Sequence, residues 1–338
     1  MVCQEFKENV FKKDIIVVGG LPNPIGGVTG FVSRLAASGM VSEVWDIYPD
    51  QHKIEPQVHC PVRYLGGKIS LYFSVLRELF KFKESFLFFN FSKPKSILFF
   101  LLLPKGRCHF SLMLHHGDLF LNKFEFFYKI GISKVDRVYC LSGAQFSFFK
   151  SLGVSHNKLF FKKSYLPYKN PSSLLWSDKI VCIDRFFRNR EVLVCSGYPS
   201  SIYNHDWCVE FAKNNPRWYL AIFIYGGGDI TDELIESCKP VPNVKIFFGF
   251  NQFEFNYALE RARAYLRPNS TDSFGIAVAD AVAFNVPVLA SDVCERYPGS
   301  CLFSPKDYQS FEIEVHHFLE GNGNLSTGDV NEFCFNFE

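Results

Sequence analysis

The sequence has 338 residues, of which 48% are hydrophobic and 21% are charged, a composition typical of a globular protein and not of a disordered chain. The formal net charge is only +2, but residues 1–190 carry 27 Lys and Arg against 14 Asp and Glu, whereas residues 191–338 carry 9 against 20. The basic half indicates an anionic partner, and the absence of zinc-finger spacing, an RNP-like motif and a helix-turn-helix signal excludes nucleic acid from our prediction.

The first half of the sequence alternates between strand and helix patterns. The clearest helix follows the first strand, because Val28, Phe31, Val32 and Leu35 lie at helical spacing. Short apolar runs predict five strands, at residues 14–18, 43–47, 86–90, 110–114 and 137–141.

A second set of predicted strands covers residues 192–195, 219–225, 244–248, 264–267 and 287–290. Two such sets predict an α/β protein with two Rossmann-like, doubly wound domains facing a central cleft, where a ligand binds at the carboxyl ends of the strands. At this length the chain is too long for one compact core. We predict an N-terminal domain over residues 1–170, a linker over 171–190, a C-terminal domain over 191–310 and a tail over 311–338.

The segment NSTDSFGIAVADAVAFNVPVLASD, residues 269–292, holds two carboxylates eight positions apart. Asp272 precedes a predicted helix and Asp280 lies within it, while Gly275 lets a ligand approach the backbone closely. Amides at a helix start bind phosphate oxygens, and carboxylates accept hydrogen bonds from sugar hydroxyls. The segment therefore predicts a nucleotide-sugar site. In the alternative interpretation Asp272 is an ordinary N-cap and Asp280 bonds a neighbouring backbone amide.

The longer run ARAYLRPNSTDSFGIAVADAVAFNVPVLASDV resembles the C-terminal signature of retaining glycosyltransferases of the GT4-like group (glycosyl transferases group 1), which have the GT-B fold. Asp272 and Asp280 stand at the two acidic positions, which are usually Glu in that group. The resemblance implies that Asp272 contacts the donor sugar and Asp280 the ribose. The resemblance extends to four further segments: GGLPNPIGGVTGFVSRLAASG, DRVYCLSGAQFSFFKSLGV, EVLVCSGYPSSIYNHDWCVEFA and NVKIFFGF. It also implies that the tail packs back on the first domain.

The resemblance also implies which other residues bind the donor. They are Ser273, Phe274, Gly275, Ile276, Gly197, His205, Gly249 and Phe250. The group usually places an Arg and a Lys in the loop that here spans residues 196–206, but this loop has neither, and His205 stands near the place of the Lys. We expect Arg267, at the end of a predicted strand, to supply the permanent charge and to act with Asp272 in catalysis; the alternative for Arg267 is a surface ion pair.

Candidate residues of the first domain follow two predicted strands. Gly26 and Gly27 form a loop that is expected to let the acceptor or the donor phosphate approach the backbone. The resemblance implies that a His after residue 114 lies beside the donor sugar, and we favour His116 over His115; capping of the strand end is the alternative for either. Asp118 is the carboxylate expected to act on the acceptor hydroxyl.

Motifs for other chemistry are absent from the sequence. It contains no GxGxxG, GxxxxGK[ST], GxSxG, HExxH or Asp-x-Asp pattern, so we expect neither a metal nor another cofactor. The longest apolar run, residues 96–103, is too short to span a membrane, and the first residues lack a signal-peptide core. Eleven scattered cysteines without a CxxC pair indicate reduced thiols. We predict a cytoplasmic protein.

Together these features predict a retaining, metal-independent glycosyltransferase of bacterial surface polysaccharide (O-antigen or capsule) synthesis. Its donor would be a UDP- or GDP-linked sugar, and its acceptor a saccharide or polyprenyl-diphosphate-saccharide. Basic residues interleaved with Phe and Leu between residues 81 and 107 predict peripheral binding to the anionic inner face of the plasma membrane; a solvated basic face is the alternative. Two other functions stay open, a non-catalytic nucleotide-sugar-binding partner protein and a GT-B-type nucleotide-sugar epimerase.

Overall fold

The first half of the chain folds into a parallel β-sheet. The structure, a computed structural model, describes residues 14–22, 26–48, 59–81, 84–104, 106–115, 119, 125–168, 177–228, 230–321 and 334–337. The strands are β1 (Ile15–Gly19), β2 (Glu43–Asp46), β3 (Val62–Tyr64), β4 (Ser85–Phe91), β5 (Cys108–Leu114), β6 (Arg137–Cys140) and β7 (Leu159–Phe161). Their order in the sheet is β3-β2-β1-β4-β5-β6-β7.

Helices connect the strands of the first sheet. They are α1 (Gly27–Ser38), α2 (Lys68–Leu79), the 3-10 helix Pro94–Leu102, α3 (Glu125–Ser133), α4 (Gly143–Ser151) and the 3-10 turn His156–Lys158. The sheet has an apolar cluster on each face, because successive side chains of a strand point to opposite sides: Ile16 and Val18 belong to one cluster and Val17 to the other.

The second half forms a parallel sheet of its own. Its strands are β8 (Val192–Gly197), β9 (Tyr219–Ile224), β10 (Val244–Phe248), β11 (Ala264–Arg267), β12 (Val288–Ser291) and β13 (Cys301–Phe303), in the order β10-β9-β8-β11-β12-β13. Its helices are α5 (Asp178–Phe187), the 3-10 turn Ser201–Tyr203, α6 (His205–Asn214), α7 (Thr231–Cys238), α8 (Gln252–Leu259), α9 (Ile276–Ala283) and α10 (Tyr308–Glu320). In both sheets the strand order reverses beside the first strand, at β1/β4 and β8/β11, which is where doubly wound folds bind ligands.

The predicted fold class is confirmed, and all ten predicted strands are present. Three further strands, β3, β7 and β13, were not predicted from the sequence. Each has three residues and lies at the edge of its sheet, and a run this short is too brief to show the periodicity from which a strand is predicted.

Residues 334–337 lie against the first sheet, although the second sheet separates them from it in the sequence. The Phe335 ring stacks on Phe88 with centroids 5.4 Å apart, and its backbone N–H donates to the Tyr165 carbonyl at 2.8 Å. Arg137 Nη1 donates to the Phe337 carbonyl at 3.1 Å. Phe335 is buried, so it is part of the core of the first sheet.

None of the helices in the described part of the chain is both long enough and apolar enough to cross a bilayer.

Candidate active site

A cavity of about 430 Å³ lies between the carboxyl ends of the two sheets. The first half contributes Gly26 and Gly27, at the start of α1, and His115 after β5. The second half contributes Arg267 at the end of β11 and the segment Thr271–Ala277 that leads into α9. Four tyrosines, at positions 48, 198, 203 and 225, also line the cavity. The cavity is thus at the position where the strand order predicts a ligand.

Two helices begin at this cavity without a side-chain cap. The N-cap of α1 is Gly26 and that of α9 is Gly275, and neither glycine has a side chain that could accept a hydrogen bond from the N–H groups of the first turn. Such N–H groups, together with the helix dipole, favour an anion. The N-cap of α9 is therefore Gly275 and not Asp272, against the alternative interpretation of the sequence.

Gly275 has a conformation that the site requires. Its φ is +80°, in the left-handed region, and a Cβ atom there would lie 2.9 Å from Arg296 Nη1. At Gly26 a Cβ atom would lie 3.2 Å from Tyr198 Oη, so this tyrosine of the second half reaches the glycine loop of the first. Space around Gly27 is open.

Asp272 is held between two arginines. Its Oδ2 accepts hydrogen bonds from Arg267 Nε at 3.0 Å and from Arg296 Nη1 at 2.7 Å, and its Oδ1 accepts from the Ser273 N–H at 2.9 Å. Burial on its own raises the pKa of Asp272, but the charges of Arg267 and Arg296 outweigh burial and hold that pKa well below its usual range. Asp272 is therefore ionised, and the three charges sum to +1.

Arg267 is buried, which argues against the surface ion pair considered from the sequence. Its Nη1 donates to the Ser196 carbonyl at 2.9 Å, and its guanidinium lies 5.1 Å from the centre of the Tyr203 ring. Although burial lowers the pKa of Arg267, Asp272 and the neighbouring tyrosines raise it well above its ordinary value. Arg267 thus brings a permanent positive charge to the cavity wall.

Arg296 was not predicted from the sequence. It lies in the loop after β12, where Nε donates to the Ser291 carbonyl at 2.9 Å and Nη2 to Ser291 Oγ at 3.0 Å. No motif includes it. The available signal was its place shortly after β12, the parallel neighbour of β11, since the ends of adjacent parallel strands lie together.

Asp280 forms a buried ion pair with Arg34 of α1. Its Oδ1 accepts from Arg34 Nη1 at 2.9 Å and its Oδ2 from Nη2 at 2.6 Å, and the two side chains are 2% and 4% exposed. Arg34 Nη1 also donates to the Leu166 carbonyl at 2.8 Å. The resemblance implied the ribose as the partner of Asp280, whereas here both oxygens already bind Arg34. Each oxygen has a second lone pair, and Asp280 lines the cavity, so the ribose contact stays a prediction.

His205 is directed into the protein and is not one of the residues that line the cavity. Its Nε2 lies 3.2 Å from the Tyr198 carbonyl, its Nδ1 lies 3.7 Å from Cys195 Sγ, and its ring stacks on Tyr203. Both ring nitrogens therefore have protein partners. The structure corrects the expectation that His205 faces the donor phosphates, because α6 begins at this residue and buries it.

The other predicted donor residues divide into two groups. Ser273, Phe274 and Ile276 line the cavity around Gly275. Gly197 at the end of β8 does not line it, and a Cβ atom there would overlap the Tyr203 ring. Gly249 and Phe250, after β10, do not line it either: the Gly249 carbonyl accepts from Lys179 Nζ, and Phe250 is buried against Phe223.

His115 lines the cavity as a neutral ring. Its Nε2 lies 3.0 Å from Asn90 Oδ1, and burial lowers its pKa to about 3. Asn90 Oδ1 can only accept, so the single N–H of the neutral ring is on Nε2, and Nδ1 can accept a hydrogen bond from a ligand. The ring brings no positive charge to the cavity. His116 and Asp118, the other two candidates of this loop, lie outside the described residues.

Two facing parallel sheets with a cavity between their carboxyl ends define the GT-B fold, as the resemblance implied. Solved structures with this fold cover most of the chain. The Anabaena protein HepE (Alr3699), solved with UDP-glucose, is 13% identical, with a TM-score of 0.72 and 95% of both chains covered. Sucrose-phosphate synthase from Thermosynechococcus elongatus is 14% identical with a TM-score of 0.67, and the lipopolysaccharide outer core galactosyltransferase WaaB is 12% identical with a TM-score of 0.60, each again covering 95% of both chains. No family model and no curated protein matches the sequence.

Proposed function

We propose that the protein is a glycosyltransferase that moves a sugar from a nucleotide-diphosphate sugar to an acceptor hydroxyl. The observation that carries this proposal is the joint presence, around one cavity, of two uncapped helix N-termini and the buried cation Arg267. Together they suit a ligand with two adjacent phosphates. Two of the structural neighbours support it, since one was solved with UDP-glucose and another is a galactosyltransferase.

In the proposed reaction, transfer retains the configuration of the donor sugar and needs no metal. As the bond to the sugar breaks, negative charge develops on the departing diphosphate. Arg267 and the first-turn amides of α1 and α9 would stabilise that charge from fixed positions. The leaving diphosphate would take the proton of the acceptor hydroxyl. Asp272 has the role of fixing the Arg267 guanidinium, while Arg296 keeps Asp272 ionised and in place.

The proposed acceptor is a saccharide carried on a polyprenyl diphosphate at the cytoplasmic face of the bacterial plasma membrane, in O-antigen or capsule synthesis. The support is the excess of basic residues in the half of the chain that contributes the glycine loop, 27 Lys and Arg against 14 Asp and Glu. A basic surface is attracted to an anionic leaflet and to the diphosphate of such an acceptor.

A second candidate is a nucleotide-sugar-binding protein without catalysis. It is favoured by one specific observation, that both acidic residues of the signature are already bonded to arginines, Asp272 to Arg267 and Arg296, and Asp280 to Arg34. In this candidate the carboxylates shape the cavity and contact no reacting atom.

The test begins with thermal denaturation of the purified protein with UDP, GDP, ADP or CMP, since a ligand that binds the folded state alone raises the apparent stability. We expect one diphosphate to raise the midpoint. The sugars of that nucleotide are then assayed for release of the free nucleoside diphosphate over many turnovers. Binding without turnover, in the presence of membrane extracts as acceptor, would favour the second candidate, and binding of none of the four would contradict both.

A further inference from the structure

Large apolar side chains are exposed along three consecutive helices of the first half, α2, the 3-10 helix Pro94–Leu102 and α3. In α2, Ile69 is 76% exposed and Phe73 is 62% exposed. Leu102 ends the 3-10 helix and is 68% exposed, and Phe126 in α3 is 69% exposed. Phe127 and Ile130 of α3 are exposed as well. We call these six residues the apolar face.

Direct contacts join the three elements into one surface. Tyr72 Oη of α2 donates to the Leu102 carbonyl at 3.3 Å. Lys134, directly after α3, donates from Nζ to the Leu101 carbonyl at 2.9 Å, and α3 packs so closely that a Cβ atom on Gly131 would lie 2.6 Å from the Ile97 carbonyl oxygen. The exposed side chains therefore belong to neighbouring elements and not to scattered positions.

The same region carries most of the net positive charge of the first half. Residues 61–135 contain 12 Lys and Arg against 4 Asp and Glu. Two of those carboxylates are already paired within the region: Glu78 with Lys81 at 2.6 Å and Glu125 with Lys129 at 2.8 Å. Lys68, at the start of α2, and Lys93 and Lys95, at the start of the 3-10 helix, are exposed. Lys68 and Lys95 thus lie on the same helices as residues of the apolar face, and Lys93 directly precedes the 3-10 helix. We call these three cations the basic border.

The 3-10 helix that carries part of this surface begins close to the cavity. Ser92 lines the cavity, and the 3-10 helix begins two residues later at Pro94. The second half of the chain offers no comparable surface in its described residues: its exposed large apolar side chains lie singly on different elements, among them Leu302 on β13 and Ile313 on α10. Residues 191–338 are also acidic, with 9 Lys and Arg against 20 Asp and Glu.

We infer that the apolar face, with its basic border, docks on an anionic lipid bilayer and so holds the cavity entrance near the membrane. Exposed Phe, Leu and Ile side chains gain by leaving water for the headgroup boundary, while the surrounding Lys side chains extend to the anionic headgroups. A protein partner of mixed charge would not require this excess of cations. Membrane docking itself does not depend on the proposed function. Only the identity of the acceptor that docking would bring to the cavity rests on that function.

The experiment is co-sedimentation of the full chain, without nucleotide, with vesicles of phosphatidylcholine alone or with about 30% phosphatidylglycerol. We expect binding to the anionic vesicles and little to the neutral ones. The double variant Phe73→Ser, Phe126→Ser should lower the partition coefficient about tenfold. Lys93→Glu, Lys95→Glu should lower it by a similar or larger factor and make it less dependent on salt.

Matched controls are Leu302→Ser, Ile313→Ser for the apolar change and Lys213→Glu, Lys239→Glu for the charge change, because these side chains are exposed on the second half. Both should bind vesicles as the unaltered protein does. Equal binding to both kinds of vesicle, or equal losses in test and control variants, would overturn the inference. A dimer without lipid binding would also overturn the inference, if the dimer formed through the apolar face and was lost in the double variant Phe73→Ser, Phe126→Ser.

Failure of the docking inference and failure of the proposed function are distinguishable. The apolar-face variants should keep the nucleotide-induced rise in thermal midpoint, because none of their positions lines the cavity. Conversely, Arg267→Met should lose that rise but keep vesicle binding.

Discussion

The buried pair between Arg34 and Asp280 makes a quantitative prediction about stability. Asp280→Asn keeps the shape of the side chain but removes the charge that compensates a guanidinium 4% exposed. It also weakens one of the two charge-assisted hydrogen bonds of 2.6 and 2.9 Å and abolishes the other, because the Asn NH2 group is a donor that would face an Arg34 N–H. Breaking a buried pair in this way costs about 3–5 kcal/mol, because one charge stays buried without its partner. With an unfolding entropy of roughly 2.1 cal/mol/K per residue, that loss lowers the thermal midpoint by about 4–7 °C if the chain unfolds as one unit.

The assay is thermal and urea denaturation followed by circular dichroism, with a double variant to separate charge from packing. Arg34→Met with Asp280→Leu removes both charges, and we expect it to recover most of the loss, since an apolar replacement of a buried pair is often close to neutral. Glu210→Gln, which breaks the exposed pair with Lys213, is the matched control and should change stability by less than about 1 kcal/mol. If Asp280→Asn shifted the midpoint no more than this control does, the argument from burial would be refuted.

Three further predictions concern the cavity. Gly275→Ala should lower the free energy of unfolding by roughly 1–3 kcal/mol, measured by urea denaturation, because φ is +80° and the new Cβ atom would crowd Arg296; a neutral effect would contradict the strain. Arg267→Met should weaken nucleoside diphosphate binding in calorimetry by about tenfold or more, and weaken monophosphate binding less, because the charge faces the phosphates; equal losses would place Arg267 elsewhere. The pKa of Asp272 is depressed in the folded state, so its contribution to stability is present above the unfolded value of about 3.9 and is lost as pH falls toward the folded value. The stability difference between the unaltered protein and Asp272→Asn should therefore shrink as pH is lowered from about 6 to about 3; a constant difference would show that the two arginines do not control Asp272.

The architecture could be predicted because its signals are local. Apolar runs of four to seven residues identify the central strands, and the spacing of Val28, Phe31, Val32 and Leu35 identifies α1. The glycine that begins α9 was identified in the same way, from the residues beside it. What local patterns could not provide is the identity of partners that are distant in the sequence.

The partners of the two acidic residues show this limit. Arg34 is 246 positions from Asp280, and Arg296 is 24 positions from Asp272 with α9 and β12 between them, so no spacing rule joins either pair. One signal for Arg34 was present, since it is the sole charged residue of α1, and a charge in an otherwise uncharged helix needs a partner if it is buried. His205 illustrates the reverse case, because its position in the sequence matched a family position while the start of α6 directs its ring inward.

The packing of Phe335 on the first sheet has a consequence for folding during synthesis. Phe335 is buried beside Phe88, and its backbone bonds to Tyr165, yet the ribosome must make the whole second sheet between residues 165 and 335. At about 5–20 residues per second this interval lasts on the order of ten to thirty seconds. During that time the apolar surface that later receives Phe335 is open. The nascent first domain therefore presents a transient site for a chaperone, and it reaches its final stability only after the second domain has been synthesised.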